Sequence, residues 1–264
     1  MENIGHLPPV ARAEIPMSWR LRVQAAATAI PMRVLAFTEN TLIHRFWDLR
    51  VHDRQYADEV ARHKHVLLVA NHLTVADSWP IAAAICDLWF HDFTWLPWNL
   101  AERKVFMRGI WGHLVFYVHR CIFIEREGDL ANRKRAVEEC LQLLASGRKV
   151  LVFPEGTRSR TARMRACKPG AALMAKSIAD CMILPVYHRG MEEVLPVGSK
   201  NLKVGKRLDV YFSKPIDPSA FRTVEDLAAT IENTLKGMEQ RVLGDALPSI
   251  QPDAQTRSAR GQRG

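Results

Sequence analysis

From residue 65 onward, short apolar runs alternate with stretches of helical periodicity, and that alternation restricts the chain to one broad fold class. His65–Ala70 reads as a buried strand, followed by a turn and a helix over Ser78–Asp87, with Pro80 suited to its first turn. Cys121–Ile124 is a second strand. Leu130–Ala145 is an amphipathic helix carrying Val137, Cys140, Leu141 and Leu144 at helical spacing, and Gly147 ends it. Strands follow at Val150–Phe153, Met182–Tyr187 and Leu208–Phe212, with helices at Ala171–Ile178 and Val224–Leu243. Strands alternating with helices predict an α/β fold with a largely parallel central sheet flanked by helices.

The flanks read differently. Residues 1–16 are a flexible lead-in, with no continuous apolar region of the kind a signal peptide needs. Residues 17–50 are predicted to be two amphipathic helices separated by Pro31, with Arg20, Arg22, Arg33, Arg45 and Arg50 scattered among the apolar positions. That pattern suits a membrane-associating segment whose arginines meet lipid headgroups. It equally suits helices that only cover the core of the next domain. Residues 51–243 form the main domain, and 244–264 are a basic, disordered tail. No stretch approaches the ~20 apolar residues a spanning helix needs, so peripheral or monotopic attachment is the expectation. All seven tryptophans fall in the first 111 residues, several in the aromatic-rich stretch 88–98, which predicts that this half faces lipid.

Charge narrows the partners. Lys plus Arg number 37 against 28 Asp plus Glu, a net charge of +9 that favours nucleic acid, anionic lipid or phosphorylated substrates. Five cysteines without a CxxC pair argue against a disulfide framework or cysteine zinc site and point to a reducing compartment.

Two segments carry the chemistry. Asn71-His72-Leu73-Thr74-Val75-Ala76-Asp77 directly follows a strand, where α/β folds place reactive groups. On an unbroken helix His72 and Asp77 would sit roughly 140° apart, so they meet only if the intervening residues turn. A carboxylate on one ring nitrogen fixes the tautomer of a general base. The plainer alternative makes Asp77 or Ser78 a helix cap ahead of Pro80 and His72 a polar turn residue. The second segment runs from Phe153 to Arg160 and continues to Lys168. Arg158, Arg160, Arg163, Arg165 and Lys168 place five positive charges in eleven residues without an acid, a credible anion clamp. Arg126 follows another strand, with a surface ion pair to Glu125 or Glu127 as its alternative. Pro185 and Val186 are expected either to shape an apolar wall or to belong to an ordinary core strand.

These segments, in this order, resemble the glycerolipid and lysophospholipid acyltransferase family. Asn-His-x4-Asp matches Asn71, His72 and Asp77, and Gly-x-x-Phe-Ile-x-Arg matches Phe123, Ile124 and Arg126. Phe-Pro-Glu-Gly-Thr-Arg-Ser matches Phe153 through Ser159 without a mismatch. An apolar run around Pro-Val matches Ile183 through Val186, and Lys-x-Gly matches Lys168 and Gly170. The resemblance covers roughly residues 60–215. It implies His72 as base and Asp77 as its partner, with Arg126, Glu155, Gly156, Thr157 and Arg158 forming the acceptor phosphate site. It also implies transfer from acyl-CoA or acyl carrier protein as co-substrate to a lysophospholipid, 1-acyl-glycerol 3-phosphate foremost, with no metal or other cofactor. Location at the cytoplasmic face of a membrane goes with this. Arg120 replaces the glycine that opens the second motif, so an altered backbone is expected at that turn. Arg103 is the nearest basic residue to an expected lysine. Gly190–Pro196 is similar to a stretch in tafazzins, which keeps a phospholipid–lysophospholipid transacylase as an alternative. A non-catalytic anionic-lipid-binding protein is the alternative from a different class. A metal hydrolase built on His63, His65, His72 and Asp77 leaves the arginine loop without a role, and no nucleic-acid-binding motif is present.

Overall fold

The computed structural model describes residues 15–102, 114, 117–124, 130–196, 198–199 and 201–245. Among these, seven strands pair into one sheet: β1 (Asp48–His52), β2 (His65–Ala70), β3 (Trp98–Glu102), β4 (Cys121–Ile124), β5 (Val150–Val152), β6 (Cys181–Arg189) and β7 (Arg207–Phe212). Their order across the sheet is β1-β7-β6-β2-β5-β3-β4. Every neighbouring pair is parallel except β6 and β7. The expected largely parallel α/β architecture is therefore present.

Strand alternation builds two cores, one on each face. On one face Leu67, Val69, Val150, Val152, Ile183 and Tyr187 pack beneath α6 (Leu130–Ala145), α7 (Gly170–Lys176) and α9 (Val224–Asp245). On the other, Val66, Leu68, Ala70, Leu151, Leu184 and Val186 pack beneath α2 (Ala29–Phe46), α4 (Ser78–Ala84) and α5 (Cys86–His91). From β2 the chain crosses to β3 on one side, and from β5 it returns past β2 to β6 on the other. A cleft opens beyond the carboxyl ends of strands at such a reversal.

Several sequence expectations are corrected. The break between α1 (Trp19–Ala27) and α2 falls at Thr28, not Pro31. Thr28 turns its hydroxyl back to the Gln24 carbonyl at 2.7 Å, whereas Pro31 lies in the first turn of α2, where its missing N–H loses no helical bond. The helix expected over Ser78–Asp87 is two, divided at Ile85. The sheet already begins at Asp48, because β1 pairs with β7 along its whole length. Aromatic residues of the 88–98 stretch are mainly core: Trp89, Trp95 and Trp98 are buried, and the Trp89 indole N–H donates to the Ala82 carbonyl at 2.8 Å. Trp111 lies outside the described residues.

The first two helices have two apolar faces. Leu21, Ala25, Met32, Ala36 and Ile43 are buried against the domain. Trp19, Val23, Ile30, Val34, Phe37, Leu42 and Phe46 face outward, Ile30 at 72% and Trp19 at 65% exposure, interleaved with exposed Arg20, Arg22, Arg33 and Arg45. No described helix is long and apolar enough to cross a membrane.

The turn at Arg120 is left-handed. Its φ is +55°, in the region that glycine enters freely and where a side chain costs about 1 kcal/mol. Its guanidinium is buried over the rings of Phe93 and Trp98. Burial, with Arg148 and Arg33 adding repulsion, pulls its pKa down to about 10. Arg120 precedes β4 and packs against Phe93 and Trp98, so this departure bears on packing.

Gly190, by contrast, has no substitute. Its φ is +97°, and a Cβ there would sit 2.1 Å from the Arg207 carbonyl oxygen where β6 meets β7. Gly190→Ala is expected to destabilise the protein by about 3 kcal/mol, measured by urea unfolding.

Candidate active site

The turn after β2 brings His72 and Asp77 together. His72 Nδ1 lies 2.9 Å from Asp77 Oδ2. Asp77 occupies the cap position of α4, yet its side chain makes no capping bond and turns back into the loop. There it accepts hydrogen bonds from the Leu73 N–H at 2.6 Å, the Thr74 N–H at 2.8 Å and the Thr74 hydroxyl at 2.7 Å. The helix-cap alternative is thereby excluded. Burial alone would raise the Asp77 pKa, but the imidazoles of His188 and His72 more than reverse this and hold it below the usual carboxylate range. An ionised carboxylate only accepts, so His72 Nδ1 carries a proton, and in the neutral ring the lone pair is on Nε2. Nε2 has no partner among the described residues, and the side chain is 14% exposed.

The turn after β5 locks onto this loop. The Phe153 ring stacks on the His72 ring with centroids 4.2 Å apart and planes 14° from parallel. The His72 N–H donates to Glu155 Oε1 at 2.8 Å, and the Ser159 N–H donates to the His72 carbonyl at 2.8 Å. The other Glu155 oxygen accepts from the Arg165 N–H at 2.9 Å. Glu155 is thus buried with both oxygens on backbone amides, and burial raises its pKa while those two bonds lower it. Gly156 adopts φ +68°, and the Lys168 ammonium lies 3.1 Å from the position a Gly156 Cβ would take. Neither Thr157 nor Arg158 is fully buried, and Arg158 forms no ion pair with a described residue.

The basic loop beyond is gripped by its backbone. Besides Glu155, Glu239 accepts from the Met164 N–H and Glu232 from the Cys167 N–H, each at 2.8 Å, both from α9. Arg160, Arg163, Arg165 and Lys168 remain exposed. Arg126, Arg103, Glu125 and Glu127 lie outside the described residues. Pro185 and Val186 sit one strand over, opposite Val69 and Ala70, with Val186 in the core beside Leu184 and Phe212.

The residue of β6 that reaches the carboxylate is His188, which the sequence analysis missed. Its signal was available: a polar residue in phase with Leu184 and Val186, at the end of an apolar strand. The metal alternative fails on placement. His63 and His65 lie at the opening of β2 and His72 beyond its far end, and no cluster of three metal-ligating side chains exists among the described residues.

Residues 48–189 match the family described as Acyltransferase, just over half of the chain. The chain belongs to that family. Among curated relatives, it is 29% identical over 160 residues to an N-acylphosphatidylethanolamine synthase of Arabidopsis thaliana, covering 58% of this chain and 56% of that one. It is 27% identical over 201 residues to a probable 1-acyl-sn-glycerol-3-phosphate acyltransferase of Mycoplasma genitalium, covering 74% and 70%. A tafazzin of Drosophila melanogaster is 26% identical over 128 residues, covering 49% and 33%. The matches to the first curated relatives span from a quarter to three fifths of their length. In fold, the crystal structure of the 1-acyl-sn-glycerophosphate acyltransferase PlsC from Thermotoga maritima superposes with a TM-score of 0.61 at 21% identity, covering 86% of this chain and 84% of that one.

The depressed pKa makes Asp77 a pH-dependent prop. Its folded value lies below the unfolded value of about 3.9, so its contribution is complete above that pH and is lost as the pH falls toward the folded value. Asp77→Asn should lower stability at neutral pH by about 2 kcal/mol and flatten the loss below pH ~4, read by urea titrations across pH.

Proposed function

We propose that the protein is an O-acyltransferase that moves an acyl group from acyl-CoA or acyl carrier protein to the hydroxyl of a lysophospholipid, 1-acyl-glycerol 3-phosphate foremost. One observation carries this reading: an imidazole whose Nδ1 is held by a buried carboxylate while its Nε2 has no partner among the described residues. Nε2 takes the proton from the acceptor hydroxyl as its oxygen bonds to the thioester carbonyl carbon. The tetrahedral centre then collapses with cleavage of the C–S bond. The imidazolium returns the proton to the departing sulfur, leaving an ester and a free thiol. Asp77 stabilises the charge that His72 holds between these steps. No metal or bound cofactor takes part in this scheme. Arg158 and Lys168, both without a carboxylate partner among the described residues, suit the acceptor phosphate, and Arg126 is assigned there by its motif. Glu155 and Gly156 shape the turn that presents these cations.

The outward face of α1 and α2 suits an anionic bilayer at the cytoplasmic side, with Trp19, Ile30 and Phe37 in the interface and arginines at the phosphates. A transacylase of the tafazzin kind is the second reading. The left-handed turn at Gly190 and the short helix α8 (Met191–Val194) lie in the stretch similar to tafazzins.

A lipid panel tests these readings. Thiol release from acyl-CoA or acyl carrier protein is measured with lysophosphatidic acid, other lysophospholipids, glycerol 3-phosphate and phosphatidylethanolamine. The leading reading expects release with lysophosphatidic acid, loss by about 10³-fold or more in His72→Ala, and a raised KM with little change in kcat in Arg158→Ala. Acyl exchange without a thioester favours the transacylase, and lipid binding without either reaction overturns both. For the membrane face, a Trp19→Ser, Ile30→Asn, Phe37→Ser triple variant should melt like wild type yet bind anionic liposomes about tenfold or more weakly in sedimentation.

A further inference from the structure

Asp77 is shared by a second imidazole. His188 lies at the end of β6, in phase with Leu184 and Val186, which aims it at the face that α4 covers. Its Nε2 is 3.0 Å from the Asn71 carbonyl oxygen and 3.6 Å from Asp77 Oδ2, the same oxygen that His72 Nδ1 contacts. Both neighbours only accept, so His188 Nε2 carries a proton aimed between them. Around the same residue the backbone is pinned twice: the His188 N–H donates to the Asn71 amide oxygen at 2.8 Å, and the Asn71 amide N–H donates to the His188 carbonyl at 2.9 Å.

Packing does not account for an imidazole here. The ring is fully buried, and its Nδ1 has no hydrogen-bond partner among the described residues. A buried nitrogen without a partner carries a desolvation penalty that an apolar side chain of similar size would avoid. What an imidazole supplies and Leu or Phe does not is the Nε2–H beside Asp77. The charged groups acting on His188 are Asp77 at the start of α4 and Glu192 on α8. Burial lowers its pKa, and those two carboxylates with the Asn71 contact raise it to a net upward shift.

We propose that His188 is a positioning residue: it restrains the Asp77 carboxylate through the oxygen that orients His72, and so fixes both the aim and the basicity of the base. Whether His188 carries one proton or two, removing its Nε2–H leaves the negative charge of Asp77 less compensated. His72 then holds its proton more tightly, and the acid limb of kcat/KM moves to higher pH.

The inference rests on reading His72 and Asp77 as base and partner. The test is acyl transfer to lysophosphatidic acid across pH with full-length His188→Leu, His188→Gln and His188→Asn, alongside His72→Ala. Leu should lower kcat about 10–100-fold with KM within about twofold, and shift the acid limb up by about half a pH unit. Gln, whose amide N–H can take the place of Nε2–H, should recover most of kcat and return the limb toward wild type. Should the Leu variant fail to fold, Gln must still exceed the shorter Asn by about tenfold in kcat. Equal activities and unshifted limbs across the folded variants, or an effect on KM alone, overturn the proposal. An active His72→Ala overturns the reading beneath it instead, so the two failures are distinguishable.

Discussion

A single buried carboxylate organises this end of the sheet. Asp77 gathers two backbone amides, a hydroxyl and His72 Nδ1, with His188 at slightly longer range, and is itself almost fully buried. Such an anion is tolerated only because its lone pairs are met, and meeting them bends residues 72–77 into the one shape that puts imidazole and carboxylate side by side. The five-residue spacing, which would separate them on a helix, becomes a means of facing them across a turn.

The rest of the site is built outward from that loop by backbone contacts. Glu155 bridges the His72 amide to the Arg165 amide, and the Phe153 ring backs the imidazole. The ring stack and the bridging carboxylate hold the imidazole rigid, while Arg158 and Lys168 form no ion pair with a described residue. In the proposed acyl transfer, a rigid imidazole is what aims one group within fractions of an ångström, and exposed cations are what gather a phosphate.

Much of this was legible in the sequence for identifiable reasons. β2 and β4 and the helix Leu130–Ala145 follow their apolar patterns residue for residue. β1 was not legible, because Asp48–His52 is a polar edge strand whose pairing with β7 supplies what its side chains do not. β3 was hidden in an aromatic stretch that resembled an interfacial belt, since composition does not tell a tryptophan in a core from one at a bilayer. Pro31 misplaced the helix break because proline is harmless in a first turn. In the site, the loop segments stood out by spacing, whereas His188 comes from a strand over a hundred residues away and meets Asp77 only through sheet pairing.

The loop after Glu155 is held by three carboxylates that touch its main chain and none of its guanidinium groups. Its path is therefore indifferent to which side chains it displays. Substitutions among Arg160, Arg163 and Arg165 alter the charge displayed here without unfastening the loop. A lineage with this scaffold can thus retune the electrostatics of this surface by drift, without any compensating change in the interior.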